Sequence, residues 1–175
     1  MSVMLDIIAA TVVVGMLVLT IMNVNINMSM ENYKSFSEFK MQTELIQLGR
    51  ILEFDLYKMG FRIAKNDAIT GEQIAIAESS QVKFYTNLFN VTGGKDSIMY
   101  GLGNGVSITT NPSDKMLFRY ENTSRVFINY SVTKFKLRYY NGNDSLLALP
   151  ITGARRDSIK SIRVLLSLET PEPFD

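Results

Sequence analysis

The chain has 175 residues, 18 Lys and Arg against 17 Asp and Glu, a net charge of +1, and neither Cys nor His. This excludes disulfides, thiolate chemistry, zinc–thiolate centres and every catalytic or metal site built on imidazole. A net charge near zero gives no broad field for nucleic acid or an anionic membrane, so no nucleic-acid partner is expected.

The first element is apolar. Ile7 to Met22 reads IIAATVVVGMLVLTIM, without a charge. As a helix these residues span about 24 Å, a little short of a membrane core. Val3 to Leu5 and Val24 to Ile26 make up the difference. No Lys or Arg precedes the run and no small-residue cleavage pattern follows it, which favours a retained helix over a signal peptide. A buried core helix is the alternative, but every face is apolar over more than four turns. Loop charges give no orientation, since Lys34 is the first basic residue and stands between Glu31 and Glu38. Asp6 is the one acid in this stretch, so it either lies at the water boundary or has a cationic partner.

Asn23 to Met30 alternates Asn with apolar residues. Such Asn side chains compete for backbone hydrogen bonds. The segment reads as an exit from the membrane or as a locally melted part of one long helix.

From Glu31 to Gly60 the period is helical. Phe36 and Phe39, and again Leu45, Leu48, Leu52, Leu56 and Met59, recur three and four apart, and Gly60 supplies the stop. This half is amphipathic and must bury its stripe against something C-terminal.

Strand patterns follow at Gln73 to Ala77, Gln81 to Leu88, Ser97 to Leu102, Lys115 to Tyr120, Arg125 to Tyr130, Thr133 to Tyr140 and Ser161 to Leu168. Lys134 to Arg138 alternates cleanly, with Phe135 and Leu137 on one face and Lys134, Lys136 and Arg138 on the other. Turns are expected at Thr92 to Gly94, Gly101 to Gly105, Asn111 to Ser113 and Asn141 to Asn143. With no helical patterns between the strands, an antiparallel meander is favoured. Glu169 to Asp175 is a polar, Pro-containing tail. The fold class expected is α+β: a long helix, apolar then amphipathic, packed on a C-terminal antiparallel sheet. The boundaries expected are 1–30, 31–60 and 61–175.

In this layout the chain resembles type IV pilins and pseudopilins. The finer similarity is to PilW-like minor pilins and the J-type pseudopilin of type II secretion. Leu52 to Phe61 (LEFDLYKMGF) is similar to their helix end, and Val82 to Asn87 with Asp96 to Tyr100 is similar to their paired strands. Lys115 to Arg119, Val132 to Tyr140 and Ile159 to Leu168 fall in the order of the family's last strands. The family's Gly-Phe-Thr-Leu-x-Glu motif does not occur here, which leaves either a mature chain or a branch without that leader. Asp6 is the candidate for the family's acidic residue. It falls fifth if Met1 is removed ahead of Ser2, the family's position, and sixth otherwise.

An acid so placed has a physical use. In a bundle of apolar helices, a subunit's ammonium and its neighbour's carboxylate neutralise each other and fix the axial step. The alternative is that Asp6 only caps the first helical turn. Gly15 is a candidate for close helix contact, or incidental. Gly49 reads the same way, as a close approach or merely a cost to the helix. Asn-x-Ser/Thr occurs at Asn27, Asn90, Asn122, Asn129 and Asn143, the last four being candidate glycosylation sites on the headpiece. Asn90 to Asp96 has oxygen ligands and glycines suited to Ca²⁺, but a hairpin turn explains it better.

The resemblance implies a structural subunit of a pilus-like or pseudopilus-like filament, membrane-anchored first and then at the cell surface. Its partners would be copies of itself or other pilin-like subunits, joined through the N-terminal helix. No enzymatic activity, cofactor or metal is expected. The alternatives are a minor priming pseudopilin of a secretion apparatus and a single-span membrane protein with a binding headpiece.

Overall fold

A computed structural model describes residues 2–63, 72–106 and 109–170, with backbone alone at residue 2 and at 127–130. One α-helix, α1, runs Ser2–Tyr57. Its length follows from the absence of Pro and from the way its hydroxyls behave. Thr11 donates to the carbonyl of Ile7, Thr20 to that of Met16 at 2.8 Å, and Ser29 to that of Asn25 at 2.8 Å. Each polar group is satisfied one turn back within its own helix. Asn23, Asn25 and Asn27 do not interrupt it, so the segment expected to melt is helical. Propensity differences of a few tenths of a kcal/mol per residue are too small to break a helix already propagating on both sides.

By contacts the chain divides into two units, the first ending at Lys40 and the second opening at Met41. In the first unit the helix is uncovered. Large apolar side chains from Val3 to Met30 are between 50% and 77% exposed. Phe36 and Phe39, expected in the buried stripe, are each 68% exposed. The stripe takes part in the core only from the second unit onward.

That unit joins the last turns of α1 to six antiparallel strands in sequence order: β1 Ile74–Ala77, β2 Gln81–Thr86, β3 Asp96–Gly105, β4 Lys115–Glu121, β5 Ser124–Tyr140 and β6 Ser161–Leu168. Period two sets the faces. Val82 and Phe84 on β2, Ile98 and Tyr100 on β3, Leu117 on β4, and Phe135, Leu137 and Tyr139 on β5 point inward and are buried. Leu48 and Leu52 of α1 are buried in the same core, with Leu56 and Met59 packed against it. Each fully buried side chain of this size contributes about 1.5 to 3 kcal/mol.

Three corrections concern the strands. The runs expected at 125–130 and 133–140 form one strand, β5, whose first half pairs with β4 and whose second half pairs with β6. Register shifts near Val132 let the side-chain alternation slip without ending the strand. The turn expected at Gly101 to Gly105 belongs to β3. There a Cβ on Gly101 would lie 2.8 Å from the Phe118 ring, so glycine serves close ring contact and not a turn. A 3₁₀ helix at Gly153–Ser158, absent from the expectation, carries Arg156 to the free edge of β1. Its guanidinium donates to the carbonyls of Ile74 and Ala75 and pairs with Glu72 at 3.1 Å, occupying edge groups that would otherwise invite another strand.

Gly60 ends the helical segment as expected. Its φ is +72°, and a Cβ there would meet the Gln73 amide at 2.8 Å. Its N–H donates to the Tyr85 carbonyl at 2.9 Å, fastening the helix exit to β2. The turn between β1 and β2 is held against β5 in turn: Leu137 N–H donates to the Ser79 carbonyl at 2.7 Å, and the Tyr139 hydroxyl to that of Glu78 at 3.0 Å.

Leu52 is 3% exposed, so Leu52→Ala should destabilise this unit by about 2 to 5 kcal/mol. Phe36→Ala, at an exposed site, should cost less than about 0.5 kcal/mol. Urea unfolding of the full chain in uncharged detergent, followed through the sheet signal, checks both.

Candidate functional site

The most unusual surface is the apolar helix of the first unit. It is long and apolar enough to cross a membrane by length and composition. The two residues singled out on it are not brought together. Asp6 and Gly15 are nine positions apart, about 14 Å along the axis and on opposite faces at 3.6 residues per turn. They cannot serve a single contact with one partner helix. Asp6 also lies beyond the first turn of α1, which holds no acid, so it is not the N-terminal cap. It sits instead on the exposed surface of the apolar half. A Cβ on Gly15 would meet nothing within 4 Å, so its lack of a side chain answers no demand within the chain.

In the second unit, polar side chains are committed to structure. Asp55, 3% exposed, accepts from the Tyr100 hydroxyl and, at 2.6 Å, from Arg119 Nε. Arg119 also donates to Glu121. The helix thus meets β3 and β4 through one carboxylate oxygen. Burial, then the bond to Asp55, pushes the Tyr100 hydroxyl well above its ordinary range. Burial pulls Arg119 down, but its bonds to Asp55 and Glu121 outweigh this and hold it above its usual value. Tyr100 therefore stays a neutral phenol and Arg119 a cation throughout the ordinary pH range. Position in sequence could not reveal the trio: 45 residues separate Tyr100 from Asp55, and 64 separate Arg119 from it.

Beside α1, Leu45, Gly49, Leu52 and Leu56 form an apolar groove of about 510 Å³ with Ile162, Val164 and Leu166 of β6. Gly49 lines it, and a Cβ there would meet nothing within 4 Å. Sequence pattern offered Gly49 no role beyond close approach or helix cost; the groove wall is its actual setting.

The glycosylation candidates all lie on the sheet's connections or strands. Asn90 and Asn143 are exposed on the β2–β3 and β5–β6 connections. Asn122 is exposed too, but its side chain is engaged in the β4–β5 turn: Oδ1 accepts from Ser97 N–H at 2.8 Å, and Nδ2 donates to Asp96 at 2.9 Å. The side chain of Asn129 lies outside the described residues. Asn27 is part of α1 and exposed.

In the stretch weighed for Ca²⁺, the one acid, Asp96, is committed to the turn. Asn87 binds both the N–H and the carbonyl of Val91, at 3.1 and 2.7 Å, and Asp96 accepts from Leu88 N–H at 2.9 Å. Gly94 is required there because a Cβ would lie 2.9 Å from the Val91 carbonyl. The hairpin explanation accounts for Val91, Gly94 and Asp96. Among the described residues, no group of three or more acids is placed to hold a metal.

Asp114 is different. It is fully buried, and neither carboxylate oxygen has a hydrogen-bond partner. Thr109 stands near enough to ease its ionisation but not in hydrogen-bonding geometry. Burial pushes the carboxyl above its ordinary 3.8, and Glu169 adds to the shift.

Both groups can be tested by substitution. Asp55→Asn leaves Arg119 without its main counter-charge and should cost about 3 to 5 kcal/mol, whereas Glu121→Gln, at the exposed end of the network, should cost under about 1 kcal/mol. Denaturant unfolding checks that ratio. For Asp114, the folded chain holds the proton more tightly than the unfolded chain. Stability therefore falls as pH rises from about 3.8 through the raised folded value. Asp114→Asn should remove that loss, raising Tm at pH 7 and leaving it nearly unchanged at acid pH, as thermal melts at both pH values would show.

Comparison with known proteins finds no matching family model, no matching curated protein and no matching solved structure.

Proposed function

We propose that this chain is a structural subunit that inserts in a membrane and then assembles, through its N-terminal helix, into a filament of the type IV pilus or pseudopilus kind. The observation that carries the reading is the helix from Val3 to Met30. It is exposed throughout, is apolar on every face from Ile7 to Met22, and returns the hydroxyls of Thr11, Thr20 and Ser29 to its own backbone. Covering each of these apolar side chains is worth about 1 to 3 kcal/mol, which water cannot supply but a bilayer or a helix bundle can. The headpiece needs no help from this segment, since its buried side chains come from Leu48 onward.

Asp6 and Gly15, on opposite faces, support a helix with neighbours on more than one side. In a bundle Asp6 would take a neighbour's terminal ammonium, and Gly15 would admit a close backbone. A single-span anchor has no use for Gly15 and keeps Asp6 only at the water boundary, which supports the filament reading over a monomeric membrane protein with a binding headpiece.

Asp6→Asn tests the reading at nearly constant shape. An unmatched buried ammonium costs about 3 to 5 kcal/mol, enough to lose assembly. Membrane fractionation should show normal insertion, headpiece melting should be unchanged, and electron microscopy should show few or no filaments. Gly15→Ala should strengthen the isolated helix by about 1 kcal/mol, so any loss of filaments in that variant comes from a neighbour. Normal filament number and spacing in both variants would refute assembly through these residues.

A further inference from the structure

The near-neutral charge of the whole chain conceals how it is distributed. Register and bulges together assign every strand a face. On the outward face of β2 to β6 stand Lys83, Arg125, Lys134, Lys136, Arg138 and Arg163. Among the described residues, no Asp or Glu occupies an outward position of these strands. The acids near the sheet are spent elsewhere: Asp55 and Glu121 on Arg119, Asp96 on the β2–β3 turn, and Glu169 on Asn111.

The cations are concentrated on β5 and β6. Lys134, Lys136 and Arg138 alternate along one strand, about 7 Å apart at 3.3 to 3.4 Å per residue. Arg163 on β6 is the direct cross-strand partner of Arg138. Two like charges directly opposite destabilise a sheet, so this pair is unfavourable until an anion lies between them. Tyr140 continues the row and carries the Arg163 guanidinium over its ring at 5.3 Å. A solvated protective face would mix signs, and this one does not.

We infer that the outward face of β5 and β6 binds a single strand of nucleic acid through its phosphates, without regard to sequence. Three features favour this partner. The cations form a line, which suits the evenly spaced charges of one phosphodiester chain. A half-exposed tyrosine lies at the end of that line, where a base can stack. No large exposed apolar side chain accompanies the cations on 133–140 or on β6, whereas a face that docks on a bilayer would carry one to insert. The inference does not depend on filament assembly.

The test uses the full chain in uncharged detergent and fluorescent oligo(dT), with anisotropy read across a range of salt. Binding should weaken with salt at a log–log slope near −3, about −0.7 for each of four phosphates neutralised. Lys134→Gln with Lys136→Gln should shrink that slope by about 1.4 and weaken low-salt binding about tenfold or more. Both lysines stand on the outward face, so the headpiece melt should be unchanged, and Lys134→Arg with Lys136→Arg should bind as the parent does. The inference is overturned if oligo(dT) does not bind at low salt, or if the Gln pair binds with the parent's slope. It is also overturned if phosphatidylserine in the micelle, or inorganic polyphosphate, displaces oligo(dT) as well as unlabelled oligo(dT) does at equal charge. Those results would mean a lipid surface or an undiscriminating charge ladder.

Discussion

Asp55 is where the helix is told which part of the sheet to hold. Apolar packing alone would let Leu48 and Leu52 slide over the inner face, because contact between aliphatic side chains is nearly isotropic. A buried carboxylate cannot slide. Its oxygen is met by a phenol from β3 and a guanidinium from β4, and leaving either partner strands a polar group out of water. Replacing the whole trio with apolar residues need not cost stability. What the trio supplies is one axial position and one rotation for the helix end, and Gly60, donating to Tyr85, locks the next turn to β2.

The same chain therefore contains two solutions to the problem of apolar surface. In the headpiece the strands alternate between an inward and an outward face, and the sheet and helix cover each other. In the first unit there is no alternation. From Ile7 to Met22 all sides of the helix are apolar, and the hydroxyls of Thr11 and Thr20 are folded back onto carbonyls. One part is built to be complete in water, the other to be completed by something else.

Much of this was legible because the signals are periodic. The α+β class, the apolar run, the stop at Gly60 and the alternation in Lys134 to Arg138 all come from spacing of 3.6 or 2. What sequence pattern missed is either local irregularity or contact at a distance. A register shift at Val132 looks like a strand end, since alternation breaks there, yet the backbone pairing continues. Gly101 looks like a turn until Phe118 is seen lying against it. Phe36 and Phe39 are exposed because the spacing breaks in the gap of six before Leu45: Phe39 stands nine positions before Leu48, on the opposite face of the helix. Neither the Asp55 trio nor the isolation of Asp114 has any local signature. On the apolar helix, the opposed faces of Asp6 and Gly15 follow from counting alone.

The returned hydroxyls of Thr11, Thr20 and Ser29 have a mechanical consequence. A helix that offers outward polar atoms can be gripped at particular heights, and moving it by one residue breaks named bonds. With those atoms turned inward, the surface from Val3 to Met22 is smooth to any apolar surroundings. Rotation or axial slip exchanges one set of methyl contacts for a similar set, so resistance to sliding is low and spread evenly. Asp6 is the exception, a single tooth on an otherwise ungeared shaft. Whatever surrounds this helix can hold it firmly against withdrawal into water while leaving its height to be decided at one residue.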